Sequence, residues 1–234
     1  MKTVLITGAT GGIGQALAKA FSDSGYNVVM NYNQNEEKAK ELLNEINGIT
    51  VKADVSDLSE VEQMFDIARK KYGKIDVLIN NSAIQSIGML CDQSKDDWQK
   101  VIDVDLTGAY NTVKCALSDM MYSGGKIINI SSIWGQCGAS CEVAYSTAKA
   151  GLIGFTKALA KEYPHINTNC ICPGVIETKM NEHLTTEMQE ELKKEIPMHR
   201  FGKPEEVAEL ALFLAEKGDY ILGQVIAING GMYI

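Results

Sequence analysis

An alternation that runs the length of the chain constrains its fold most. Short aliphatic runs recur at Val4-Leu5-Ile6, Val28-Val29-Met30, Ile49-Thr50-Val51, Ile75-Asp76-Val77-Leu78-Ile79, Ile127-Ile128-Asn129-Ile130, 166–171 and Val225-Ile226-Ala227-Ile228. Between them lie longer stretches of helical character. Val61, Met64, Phe65, Ala68 and Tyr72 fall on one face of a helix that Ser56 or Asp57 would cap. Further helical stretches are expected over 36–46, 95–121, around Tyr145 and over 185–214. Regular strand–helix alternation implies parallel strands with helices on both faces. The expectation is a single doubly wound α/β domain, Rossmann-type, over residues 1–234. No Pro-, Ser- or charge-rich linker and no internal repeat divides it.

The first strand runs directly into Gly8-Ala9-Thr10-Gly11-Gly12-Ile13-Gly14 and then into a helical pattern. Glycines there permit a tight turn and close backbone approach, so a pyrophosphate can rest on helix N-terminal amides. Asp54-Val55 follows the third strand and Asn80-Asn81 the fourth. In such sheets ligands bind outside the carboxyl ends of the strands, where all these residues fall. Asp54 could accept from an adenine amino group or cap the next helix.

A second constellation comes later. Tyr145 and Lys149 stand four apart, which on a helix puts them on one face about a turn apart. The ammonium would favour the phenolate and draw the Tyr145 pKa down from about 10. Ser132, just past the fifth strand, would bring a hydroxyl to the same carbonyl. The three read as acid/base and polarising groups for carbonyl reduction or alcohol oxidation.

Composition removes other classes. The net charge is −8 with two arginines, Arg69 and Arg200, which argues against nucleic acid or an anionic membrane as partner. No run approaches the roughly 18 apolar residues of a membrane span. The N-terminal apolar run is too short for a signal peptide, so a cytoplasmic location with six reduced cysteines is expected. Cys170 and Cys172 share one face of a strand and suit core packing, with no His pair to complete a metal site. Cys137 and Cys141, between Ser132 and Tyr145, are candidates for substrate contact or oxidation. His165, His183 and His199 are given no chemistry.

Thr7-Gly8-(x)3-Gly12-Ile13-Gly14, Asn80-Asn81, Ser132, Tyr145-(x)3-Lys149 and Pro173-Gly174-(x)3-Thr178 resemble, in order and spacing, the motifs of short-chain dehydrogenases/reductases. The run from Arg200-Phe201-Gly202 to Asn229-Gly230-Gly231 is most similar to 3-oxoacyl-acyl-carrier-protein reductases. The resemblance implies a nicotinamide cofactor and a homotetramer or homodimer. It implies Tyr145 as proton donor, Lys149 as the residue that lowers its pKa and holds the nicotinamide ribose, and Ser132 as hydrogen-bond donor to the carbonyl. The cofactor set it implies is Gly8, Thr10, Gly11, Gly12, Ile13, Gly14, Tyr32, Asn33, Asp54, Val55, Asn81, Ser82, Tyr145, Lys149, Pro173, Gly174, Ile176 and Thr178. Two departures stand out. Asn80-Asn81-Ser82-Ala83 replaces Asn-Asn-Ala-Gly, and Asp105 occupies the fourth catalytic position, where Asn is usual before Leu-Thr-Gly. A carboxylate there could anchor a relay water, and it adds a charge near Lys149.

For the cofactor, NADPH is expected over NADH. The acid that usually grips the adenosine ribose is replaced by Tyr32, followed by Asn33, so no carboxylate repels a 2′-phosphate. The usual basic partner is also missing, which leaves amides, Thr10 and Lys38. The segment 177–203 mixes Lys179, Lys193, Lys194, Arg200 and Lys203 with Glu177, Glu182, Glu187, Glu190, Glu191 and Glu195, so no basic patch marks a docking site for an acidic carrier protein. The expected substrate is a ketone, foremost a 3-oxoacyl thioester. Trp134 to Val143 is also similar to a subgroup thought to reduce an aminopentanone group on elongation factor P, where Glu142 could pair with the substrate ammonium or simply serve a helix start. A nucleotide-binding regulator or scaffold without turnover is the alternative of another class.

Overall fold

The computed structural model describes residues 1–181 and 184–234, so Glu182 and His183 lie outside the described residues. Seven strands, all parallel, form one sheet: β1 (Thr3–Ile6), β2 (Asn27–Tyr32), β3 (Gly48–Lys52), β4 (Val77–Asn80), β5 (Gly125–Ile130), β6 (Ile166–Pro173) and β7 (Val225–Ile228). Their order is β3-β2-β1-β4-β5-β6-β7. The chain steps outward from β1 on one side, then returns to β4 and steps outward on the other. The crevice between β1 and β4 is therefore the topological switch point.

The helices are α1 (Gly12–Asp23), α2 (Glu36–Leu42), α3 (Leu58–Tyr72), α4 (Lys95–Ile102), α5 (Gly108–Met120), the short α6 (Trp134–Cys137), α7 (Val143–Glu162), α8 (Thr186–Glu195) and α9 (Pro204–Glu216). Strand alternation sorts the core into two layers. Val4, Ile6, Val28 and Met30 face α1 and α9, packing with Leu17, Phe21, Val207 and Leu214. Leu5 and Val29 face the other way and pack with Val61 and Phe65 of α3 and Val113 and Met120 of α5. Both strand faces are buried, which is why the strands read as nearly unbroken apolar runs.

The structure corrects several expected bounds. The stretch 95–121 is two helices separated by a π-helical segment, Asp103–Thr107, in which the Gly108 N–H donates to the Asp103 carbonyl five residues back. A single π turn is too short to set up an apolar period of its own, so periodicity does not register it. The stretch 185–214 is also two helices, because Pro197 and Gly202 lie between α8 and α9. The helix expected over 36–46 stops at Leu42. Asp57 rather than Ser56 caps α3, accepting from the Ser59 and Glu60 amides. Among the described residues, no helix is long and apolar enough to cross a membrane.

Candidate active site

The carboxyl ends of the strands on both sides of the switch point open into one cavity of about 1070 Å3. At its floor, Gly8 turns with φ 61°, a conformation an L side chain resists. A Cβ on Gly14 would collide with the Gly8 carbonyl oxygen, so α1 can enter this closely only with glycine there. Gly11, the N-cap of α1, supplies no side-chain cap. The first amides of α1 thus stay open towards the cavity, which Gly8, Thr10, Gly11, Gly12 and Ile13 line. That uncapped helix start suits a pyrophosphate.

The loop is tied to both neighbouring strands. Thr7 Oγ1 accepts from the Asn81 and Ser82 amides at 2.9 and 3.0 Å, and Asn81 Nδ2 donates to the Thr7 and Gly8 carbonyls. Asn31 receives the Gly8 N–H on its side chain and the Ala9 N–H on its carbonyl, while its amide donates to Ala53 O at 2.9 Å. The sequence reading missed Asn31. Its signal was a polar residue at the end of an apolar strand, and it is buried.

At the far end, Asn33, Asp54 and Val55 line the cavity. Asp54 accepts from the Ser56 amide and hydroxyl and, at 3.0 Å, from Asn33 Nδ2. Burial acts to raise its pKa, but these hydrogen bonds hold the carboxyl below its ordinary value. Lys38, a suggested phosphate partner, is bonded to Glu41 at 3.0 Å. Lys100 of α4, unanticipated, also lines this cavity, whereas Tyr32 and Gly14 do not. Gly14 is buried under the loop. Tyr32 follows Asn31 in β2, so strand alternation turns it to the opposite side, towards Lys40 of α2.

Ser132, Tyr145 and Lys149 meet at the other end, with Asn81, Ser82, Pro173, Gly174, Ile176 and Thr178 lining the cavity around them. Ser132 follows β5; its Oγ accepts from the Trp134 N–H at 3.1 Å, and its hydroxyl is within hydrogen-bonding reach of Tyr145. Tyr145 and Lys149 lie a turn apart on α7, the ammonium 5.4 Å from the phenol ring centre. Lys149 is almost wholly buried. Its Nζ donates to Ile130 O at 3.2 Å and pairs with Asp105 Oδ2 at 3.4 Å, while Ser131 Oγ holds the Lys149 carbonyl. Asp105 Oδ1 accepts from the Ile84 N–H at 2.9 Å. Asp105 does not line the cavity; it sits behind Lys149.

The expected drop in the Tyr145 pKa is not what the structure supports. Burial raises it, and Asp105 and Glu142 add to the rise against Lys149 and Ser132. Burial alone would lower the Lys149 pKa, but Asp105 and then Tyr145 carry it above its ordinary value. Burial raises the Asp105 carboxyl in turn, opposed by Lys149 and the Ile84 N–H. Cys137 and Cys141 do not line the cavity, and Cys170 and Cys172 are buried in β6.

The family model described as enoyl-(acyl carrier protein) reductase matches residues 8–233. A solved structure from Brucella melitensis, titled short-chain dehydrogenase/reductase SDR:glucose/ribitol dehydrogenase, superposes with a TM-score of 0.95 at 30% identity, covering 100% of this chain and 97% of that one. The chain is a short-chain dehydrogenase/reductase. Among relatives of this reductase, the 3-oxoacyl-[acyl-carrier-protein] reductase FabG of Staphylococcus aureus is 37% identical over 242 residues, covering 100% of this chain and 98% of that protein. FabG of Thermotoga maritima is 39% identical with the same coverage. The 3-oxoacyl-[acyl-carrier-protein] reductase of Synechocystis is 41% identical over 99% of this chain and 96% of its own. Membership makes the protein an NAD(P)-dependent oxidoreductase acting on CH–OH groups, and the glycine loop and cavity fit a nicotinamide dinucleotide.

Proposed function

We propose that the protein reduces a 3-oxoacyl thioester to the 3-hydroxyacyl thioester, with NADPH as reductant. The observation that carries this reading is the pair of hydroxyl donors at one end of the cavity. Ser132, its oxygen engaged by Trp134, stands within hydrogen-bonding reach of Tyr145, which burial holds as the neutral phenol. Both suit a single carbonyl oxygen as it gains negative charge. The bound nicotinamide supplies the hydride that the carbonyl carbon accepts. Tyr145 gives its proton to the oxygen, Ser132 holds that oxygen in place, and Lys149 stabilises the phenolate left behind. The open amides of α1 would hold the pyrophosphate, and the polar region around Asn33 would receive the adenosine ribose. The full-length relatives named for 3-oxoacyl substrates favour this thioester over other ketones.

Glu142 keeps a second ketone class in view. It does not line the cavity but acts on Tyr145 as a negative charge from the N-cap of α7, a sign that suits a substrate ammonium. One panel tests both: NADPH oxidation with a 3-oxoacyl thioester, an amino-ketone and an enoyl thioester. The expected result is turnover of the 3-oxoacyl thioester and none of the enoyl compound. Preference for the amino-ketone would move the substrate assignment. Cofactor binding without turnover of any ketone would instead favour a regulator or scaffold.

A further inference from the structure

Asp105 is buried with no side-chain exposure, and among the described residues its cationic partner is Lys149, itself 2% exposed. The pair is held from both sides. One carboxylate oxygen takes the Ile84 N–H at 2.9 Å and the other faces the ammonium at 3.4 Å. The π-helical segment Asp103–Thr107 carries this side chain, and such insertions in helices gather at functional sites. An amide in the same place would accept the Ile84 N–H equally well. Only a carboxylate cancels the Lys149 charge, so holding the backbone does not account for its charge.

That charge matters because Tyr145 answers to few others. The charged groups acting on it are Lys149 on its own helix, Asp105 from the π segment and Glu142 before α7, with the Ser132 hydroxyl beside it. From α4, Asp97 and Lys100 reach the cavity with opposite signs, and β6 brings only the thiols of Cys170 and Cys172 near Lys149. With Asp105 ionised, the Lys149–Asp105 pair is neutral towards the phenol. Without it, a buried cation stands alone a turn away.

We propose that Asp105 is a positioning residue that, by neutralising Lys149, commits Tyr145 to its proton-donating form and biases the site towards ketone reduction over alcohol oxidation. This rests on the ketone-reductase reading. Reduction needs the phenol and fails as pH rises through its titration; oxidation needs the phenolate and fails as pH falls through it. Removing the Asp105 charge moves both limbs to lower pH.

The test is the pH dependence of both directions, with a 3-oxoacyl thioester and its 3-hydroxy product, in the parent, Asp105→Asn and Asp105→Ala. In both variants the basic limb of reduction and the acidic limb of oxidation should move down by about one pH unit, about a tenfold change in rate at a fixed pH on either limb. Only Asp105→Ala also loses the Ile84 acceptor, so thermal melting separates a structural loss from the charge effect. Limbs that stay in place in both variants would overturn the proposal. A substrate-free reading keeps it testable if the ketone assignment itself fails. The tyrosinate absorbance that the Tyr145→Phe change removes should titrate at lower pH in Asp105→Asn, and an unchanged titration would count against the proposal whatever the substrate.

Discussion

Tyr145 shows how far a residue's chemistry follows from its place in the chain. Its pairing with Lys149 was legible because four residues make one helical turn, and Ser132 because it ends an apolar strand run. The net direction of its acidity was not legible, although an acid at position 105 was expected to oppose Lys149. It depends first on burial and then on Asp105, forty positions earlier in the chain, reaching behind Lys149 through a π-helical segment that apolar spacing does not register. The same residue gives the sharpest test of the mechanism. Tyr145→Phe keeps the ring that packs with Val101, Ala144 and Ala148 and removes only the hydroxyl. Cofactor affinity should stay close to the parent, while turnover of the 3-oxoacyl thioester should fall by about 10²–10⁴-fold, the usual worth of a positioned acid. Cofactor titration and steady-state rates on one preparation check this, and near-parent turnover would remove Tyr145 from the mechanism.

At the scale of elements, the catalytic helix is fixed by buried polar groups beneath it as well as by apolar packing. Asn80 of β4 donates to Asn129 of β5 at 2.9 Å, and Asn129 donates to Thr156 of α7 at 2.8 Å. Thr112 of α5 donates back to Asn80 at 2.6 Å, and Thr156 ends the chain on the Leu152 carbonyl. Two strands and two helices are thus joined in one satisfied network, which fixes the register of α7 against the end of β5, where Ser131 and Ser132 follow. In the sequence these residues were merely polar letters inside apolar runs, and nothing local said that they would meet. Asn129→Ala would leave the Asn80 amide without its acceptor and the Thr156 oxygen without its donor, each loss worth about 1–3 kcal/mol. The expected loss of unfolding free energy is therefore about 2–5 kcal/mol, read by denaturant unfolding as a lower midpoint with an unchanged slope. A loss below about 0.5 kcal/mol would show that relaxation or water replaces the network.

The whole molecule is organised by its switch point. The alternation of strands and helices was enough to expect a parallel doubly wound sheet, because only crossover helices connect parallel neighbours. Strand order was not written in any one segment; it emerges where β4 returns to pair with β1. That return creates the cavity, whose floor comes from β1 and β2, one wall from β4 and β5, and the other from the segment after β6. A dinucleotide lying there would touch both halves of the sheet, so its binding should stabilise the whole fold. At a concentration a hundred times its Kd the gain is about 2.7 kcal/mol, or roughly 5–10 °C in melting temperature for a chain of this size. The choice between NADPH and NADH turns on two opposing features. Asn33 would place an amide rather than an acid beside the adenosine ribose, which favours a 2′-phosphate. Yet Asn33 donates to Asp54, so a carboxylate stands one bond behind, and Lys38 is engaged by Glu41, although Lys100 lines this cavity and acts on Asp54. Lys38 sits on an exposed helix surface, where such a pair is worth little and is easily exchanged for a phosphate. Asp54 is already satisfied by Ser56 and Asn33, which spreads its charge over three hydrogen bonds. NADPH should therefore give both the larger melting shift at matched concentration and the higher kcat/KM. A larger shift and higher kcat/KM with NADH would show instead that the Asp54 charge reaches past Asn33 and that the missing basic residue decides.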